Sequence, residues 1–208
     1  MTATVRPANA RPDVRPDALP DALPDVLPDV RPGMSGPVPR WAERVAHLVP
    51  LTVLPSGLWR IALGVGVPMG FAEGSDMTDF PHPVGTPYVF ALSLLAECLA
   101  LLTLGLVRPW GEVFPRRLPL VGGRRVPVAF AVGAASLGAV AVTLIGFASA
   151  ANWADAMSAP ESPDGAAGWA MTLAYAPFLA WGPLLAVVTC HYFMRRTRAD
   201  RDAAGDGA

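Results

Sequence analysis

Arg60 and Glu97 are the two formal charges set inside otherwise apolar runs of this chain, Arg60 within LPSGLWRIALGVGVPMGF (residues 54–71) and Glu97 within ALSLLAECLALL (residues 91–102). A charge in hydrocarbon is costly unless it is paired or wet, so such side chains mark either a built-in clasp or a functional site. Opposite signs on successive runs point to an intramembrane ion pair. If the first run climbs to Gly70 and the second begins at Val84, Arg60 lies about 15 Å and Glu97 about 20 Å below one boundary, a mismatch of about one helical turn that an arginine can span. Two uses compete for the pair: a clasp ordering the first helix against the second, and a proton or solute site in a polar cavity. Pro50, Pro55 and Pro68 in the first run, with Pro177, Gly182 and Pro183 in the last, would kink their helices and suit the cavity. The small size of the chain, with no inverted repeat, suits the clasp.

Other side chains with chemical potential read more plainly. His47 and His191 fall near the same predicted face of the membrane, where two imidazoles can ligate a haem, but both sit close to the interface and are expected as polar caps. Glu73, Asp76, Asp79 and His82 supply oxygen and nitrogen donors in one short loop without calcium-loop spacing, which predicts a solvated acidic loop and no metal site. Cys98 and Cys190 stand alone in apolar runs, with no C-x-x-C, and are expected to act as small hydrophobes. No phosphate loop, nucleophile elbow, H-E-x-x-H or kinase signature occurs, so no enzyme and no cofactor are expected.

These residues are carried by a composition that few soluble proteins share: 52% apolar and 16% charged, with a mean hydropathy of +0.39 over 208 residues. The apolar residues gather into four blocks, at about residues 45–70, 84–107, 127–150 and 169–193. Each is long enough, at about 1.5 Å per residue, to cross a hydrocarbon layer of about 30 Å. They lack the alternation of barrel strands, so helices remain as the way to satisfy their backbone groups in lipid. Short connections predict an all-α, antiparallel four-transmembrane-helix bundle over residues 41–194 in which consecutive helices pack as neighbours. In the third block Ala134, Ala135, Gly138, Ala139, Gly146 and Ala150 fall at spacings that allow close helix contact.

The connections set the orientation. All 16 basic residues are arginine. Arg108, Arg116, Arg117, Arg124 and Arg125 crowd the second connection against one acid, Glu112, and Arg195, Arg196 and Arg198 follow the fourth block. The first and third connections contain no arginine and carry Glu73, Asp76, Asp79, Asp155, Glu161 and Asp164. Four crossings that start inside put every basic segment on the cytoplasmic side, with both termini cytoplasmic in a multi-pass plasma (inner) membrane protein. The arginines are expected to meet anionic lipid headgroups, and no nucleic acid is needed to explain them. Trp41, Trp110, Trp153, Trp169 and Tyr192 fall near the predicted interfaces.

Before the first block, prolines recur every fourth position from Pro12 to Pro32, nearly all followed by aspartate, which predicts a disordered tail over residues 1–40. Residues 195–208 are expected as a short cytoplasmic tail. No apolar core of a cleavable signal follows the first methionine.

The segments RPWGEVFPRRLPLVGGRRVP (residues 108–127) and LPSGLWRIALGVGVPMGF together resemble a group of uncharacterised four-helix membrane proteins of GC-rich actinobacteria over about residues 41–195. The resemblance implies the same four spans and the same cellular location, places Arg60 in one of the shared motifs, and carries no activity. The combined expectation is a non-enzymatic membrane component, with a small transporter or proton-coupled protein using Arg60 and Glu97 as the alternative.

Overall fold

The computed structural model describes residues 37–112 and 126–205, with side chains through Arg201. The Pro/Asp repeat lies outside the described residues, as do Arg116, Arg117, Arg124 and Arg125. Among the described residues the structure is helical, without strands. Helix α1 runs Arg40–Gly64, α2 Gly85–Leu102, α3 Val128–Ala151, α4 Trp153–Met157, α5 Gly165–Tyr175 and α6 Trp181–Gly205. A short 3-10 turn, Thr103–Leu106, extends α2, and another, Ala176–Ala180, joins α5 to α6. Four segments are long and apolar enough to cross a membrane: Arg40–Gly64, Gly85–Leu106, Val128–Ala151 and Gly165–Arg201.

The second and third spans fall where the apolar runs place them, and the first and fourth differ. Helix α1 begins at Arg40 and stops at Gly64, because Gly66 takes a left-handed φ of 85° that reverses the chain. Arg60 therefore lies four residues, about 6 Å, from its helix end, shallower than the expected 15 Å. At the other extreme α6 continues through the expected tail to Gly205, since arginine and alanine favour helix and no proline or glycine intervenes. The fourth span tightens into 3-10 geometry at Ala176–Ala180, where Pro177 lacks the N–H that a regular α-helix would use.

Helix α1 forms the centre. Its buried positions Ala42, Ala46, Val49, Val53 and Ser56 recur every three or four residues and make one continuous stripe, with Leu63 buried two turns beyond. Pro50 and Pro55 are tolerated inside it, and Thr52 and Ser56 turn their hydroxyls onto the Val49 and Val53 carbonyls, so neither donor faces lipid unpaired. Helix α1 packs antiparallel against α2, with Thr86 Oγ1 donating to the Gly64 carbonyl at 3.0 Å, and on its other flank against α6. Helix α3 packs antiparallel on α6, where Ala139 and Gly146 are buried and Gly138 faces Leu185. A methyl group on Gly182 would overlap the Thr143 side chain and stand 3.0 Å from the Ala139 carbonyl, so the two backbones meet through small residues. Ala134 and Ala150, expected at the same contact, are exposed.

The helices thus lie in the order α2, α1, α6, α3. Consecutive helices α2 and α3 do not pack as neighbours, because α1 and α6 stand between them. Helix α3 is peripheral, with Ala139 and Gly146 its buried residues, and leaves Leu137, Leu144 and Phe147 facing outward. The two acidic connections meet at one end, where the Ala72 N–H donates to the Glu161 carbonyl at 3.2 Å. Trp41 and His191 meet at the opposite end with ring centroids 5.0 Å apart. Trp41, Trp110 and Trp169 are exposed near helix ends as interfacial rings should be, whereas Tyr192 is wholly buried in the core.

Candidate functional site

Since α2 and α3 stand apart, a cleft of about 550 Å³ opens between them and reaches inward to α1, α5 and the 3-10 turn before α6. Its mouth faces sideways: Leu95, Leu99 and Ile145 line it and are each about half exposed. The lining is amphipathic along the helix axis. Ser149, Trp153, Thr172 and Tyr175 gather toward the acidic-loop end, while Leu99, Val142, Leu179 and Trp181 close the deeper part. Trp153 Nε1–H donates to Thr172 Oγ1 at 3.2 Å, Thr172 donates to the Gly168 carbonyl at 2.9 Å, and the Trp153 and Tyr175 rings lie 5.7 Å apart. Polar groups at one end and methyl groups at the other follow from the helix ends lying near water.

Arg60 lines the polar end. Its Nε–H donates to Ser93 Oγ on α2 at 3.1 Å, and its guanidinium stands 5.8 Å from the centre of the Tyr175 ring on α5. Ser93 in turn donates to the Val89 carbonyl at 2.7 Å, which fixes its oxygen as the acceptor for Arg60. One side chain therefore ties α1 to two other helices through a charge-assisted hydrogen bond and a cation–π contact.

The expected Arg60–Glu97 ion pair is not made. In the antiparallel α1–α2 contact Arg60 lies level with Ser93, and Glu97, one turn deeper, lies level with Ser56. Ser93 and Tyr175 intercept the guanidinium before it reaches the carboxylate. Glu97 is half-buried, and its Oε2 makes no hydrogen bond among the described residues. Ser93 was legible as the residue four before Glu97 on the same helix face, but nothing in the sequence ranked a serine above a carboxylate as the partner. Tyr175 and Thr172 carried no signal, and Trp153 was readable only as an interfacial ring, since the three come from distant segments.

At the opposite end the basic residues divide. Arg108 and Arg198 are exposed. Arg195 and Arg196, expected at lipid headgroups, instead converge on Glu112: Arg195 Nη2 lies 2.7 Å from Oε1 and Arg196 Nη1 lies 3.5 Å from Oε2, with the carboxylate 5% exposed. Both guanidinium carbons stand 6.0 Å from the centre of the buried Tyr192 ring. The Val126 N–H donates to the Glu112 carbonyl at 2.9 Å, so the same residue gathers both ends of the second connection. Its isolation among arginines was the readable signal.

The remaining side chains separate. His47 is exposed with Nδ1 2.6 Å from the Glu43 carbonyl, while His191 packs on Trp41, so the two imidazoles take different surroundings. In the acidic loop His82 Nδ1 accepts the N–H groups of Val84 and Gly85 at 3.2 and 3.1 Å, acting as a cap at the start of α2. Glu73, Asp76 and Asp79 are exposed beside it, and among the described residues no three such donors are grouped to hold a metal ion. Cys98 and Cys190 are free thiols on exposed helix surface, not buried in the core.

The fold and cleft define a multi-pass helical membrane protein. Comparison with family models, curated proteins and solved structures finds no match.

Proposed function

We propose that this chain is a non-enzymatic protein of the plasma membrane, with both termini cytoplasmic, that binds an apolar molecule entering the α2–α3 cleft from the bilayer. The observation that carries this reading is the cleft itself, about 550 Å³ with a half-exposed leucine and isoleucine mouth and polar groups at one end. That volume lies in the range of about 300–1,000 Å³ typical of small-molecule sites. Apolar walls open to lipid admit a hydrocarbon chain without desolvating it. The orientation rests on the exposed Arg108 and Arg198, which mark the Trp41 end as the inner one, with anionic headgroups as their partners.

A titration of detergent-purified protein with the methyl ester of dibromostearate tests the binding role, because bromine quenches tryptophan on contact and Trp153 stands in the wall. Saturable quenching that weakens in Trp153→Phe, with the remainder due to Trp181 deeper in the same wall, is the expected result. Quenching identical in the two proteins would remove the reading. A second reading, transport, is favoured by one observation: the fourth span tightens into a 3-10 turn at Ala176–Ala180, which lines the same cleft as Arg60, and irregular helix at the site is a feature of transporters.

A further inference from the structure

The ligand that fits this cleft has a charge as well as a chain. Arg60 carries the guanidinium at the polar end, and among the described residues it makes a hydrogen bond to neutral Ser93 and a ring contact to neutral Tyr175, with no carboxylate paired to it. Its bond to Ser93 uses Nε–H, leaving the donors of both terminal nitrogens for another acceptor. A guanidinium presents those donors as a planar fork that matches a carboxylate or phosphate in two parallel bonds. An arginine beside hydrocarbon without a counter-ion is costly, and an incoming anion relieves that cost.

The rest of the wall fixes the shape of such an anion. Ser149 and Thr172 place hydroxyl groups at the same end as Arg60, and from Ser149 down to Val142 α3 offers seven residues, about 10 Å, of otherwise apolar wall with Ile145 and Gly146 between them. A molecule that puts its head at Arg60 lays its tail along Leu95 and Ile145 toward Leu99 and Leu179. The enclosed volume suits one ligand of small-molecule size, not the two chains and bulky head of a phospholipid.

Resting on the cleft as the binding site, we infer that it takes a single-chain anionic amphiphile of the fatty-acid type, with its carboxylate on Arg60 and its tail between α2 and α3. The charged bond discriminates between an acid and its ester, since the two share the chain and differ in the head. The test is the same titration run with dibromostearate and with its methyl ester, in protein held in neutral detergent. Expected is binding of the acid at least about tenfold tighter than the ester, the preference vanishing in Arg60→Gln and persisting in Arg60→Lys, which keeps the charge. Equal affinity for acid and ester, or an unchanged preference in Arg60→Gln, overturns the anion assignment and leaves the cleft as a neutral site. Tighter quenching by a brominated anionic phospholipid than by dibromostearate also overturns it, because two chains then fit. Loss of saturable quenching by both single-chain probes removes the cleft reading instead. Should Arg60→Gln fail to fold, the acid–ester ratio in the unaltered protein and in Arg60→Lys still decides the matter.

Discussion

Replacing Glu112 with alanine removes the carboxylate that stands between Arg195 and Arg196, the former at 2.7 Å and the latter at 3.5 Å. The two guanidinium side chains are 11% and 9% exposed, so water screens the loss poorly. Deleting one partner of a buried ion pair typically costs about 3–5 kcal/mol, because the charge left behind stays desolvated. The cluster lies at the end of the helices, close to water, which argues for the lower end, about 3 kcal/mol. For a chain of this length that corresponds to a drop of roughly 6–12 °C in the melting midpoint. Circular dichroism of the purified protein in detergent measures it directly. Glu112→Met combined with Arg195→Met and Arg196→Leu should recover much of the loss, since a well-packed apolar trio carries no desolvation cost. A Glu112→Ala protein that melts within about 2 °C of its parent would refute the reasoning, for then the geometry contributes no net energy and the arginines behave as surface charges.

The partner of Arg60 is separable by a pair of conservative changes: Ser93→Ala removes the acceptor of its Nε–H and should lower stability by about 1.5 kcal/mol, whereas Glu97→Gln should stay within about 0.5 kcal/mol, and the reverse order in denaturant titrations would restore the ion pair. Orientation is open to cysteine labelling of intact cells in a Cys98→Ser, Cys190→Ser background. A thiol placed at Asp76 should react with a membrane-impermeant maleimide and one placed at Trp110 should not; labelling at Trp110 would invert the topology.

Much of the architecture follows from the one-dimensional pattern, and the reason is solvent. In hydrocarbon every backbone group must be satisfied within its own segment, so an unbroken apolar run becomes a helix whatever it later touches. The second and third runs accordingly appear as α2 with its 3-10 extension and as α3, within a residue or two of where hydropathy puts them. The first run misled at its far end because hydropathy does not register Gly66, whose left-handed turn ends the helix before the apolar residues do. The segregation of arginine from acid likewise requires no tertiary information, and the two acidic connections do meet at one end.

Which helices neighbour which, and which polar side chains meet, came only with the tertiary structure. Lipid solvates apolar surface as well as another helix does, so hydrophobicity cannot choose partners, and the choice falls to close fit between small residues such as Gly182 and Ala139. That fit seats α6 between α1 and α3 and so holds α2 away from α3, which creates the cleft. The charges obeyed the same rule. Arg60 and Glu97 are complementary by sign and adjacent by helix, yet a register of one turn gives the guanidinium to Ser93 and Tyr175, while Glu112, one acid among arginines, gathers the pair from α6. Residue types determined that charges would need partners in this membrane protein, and only the helix register, fixed by packing, decided which partners they found.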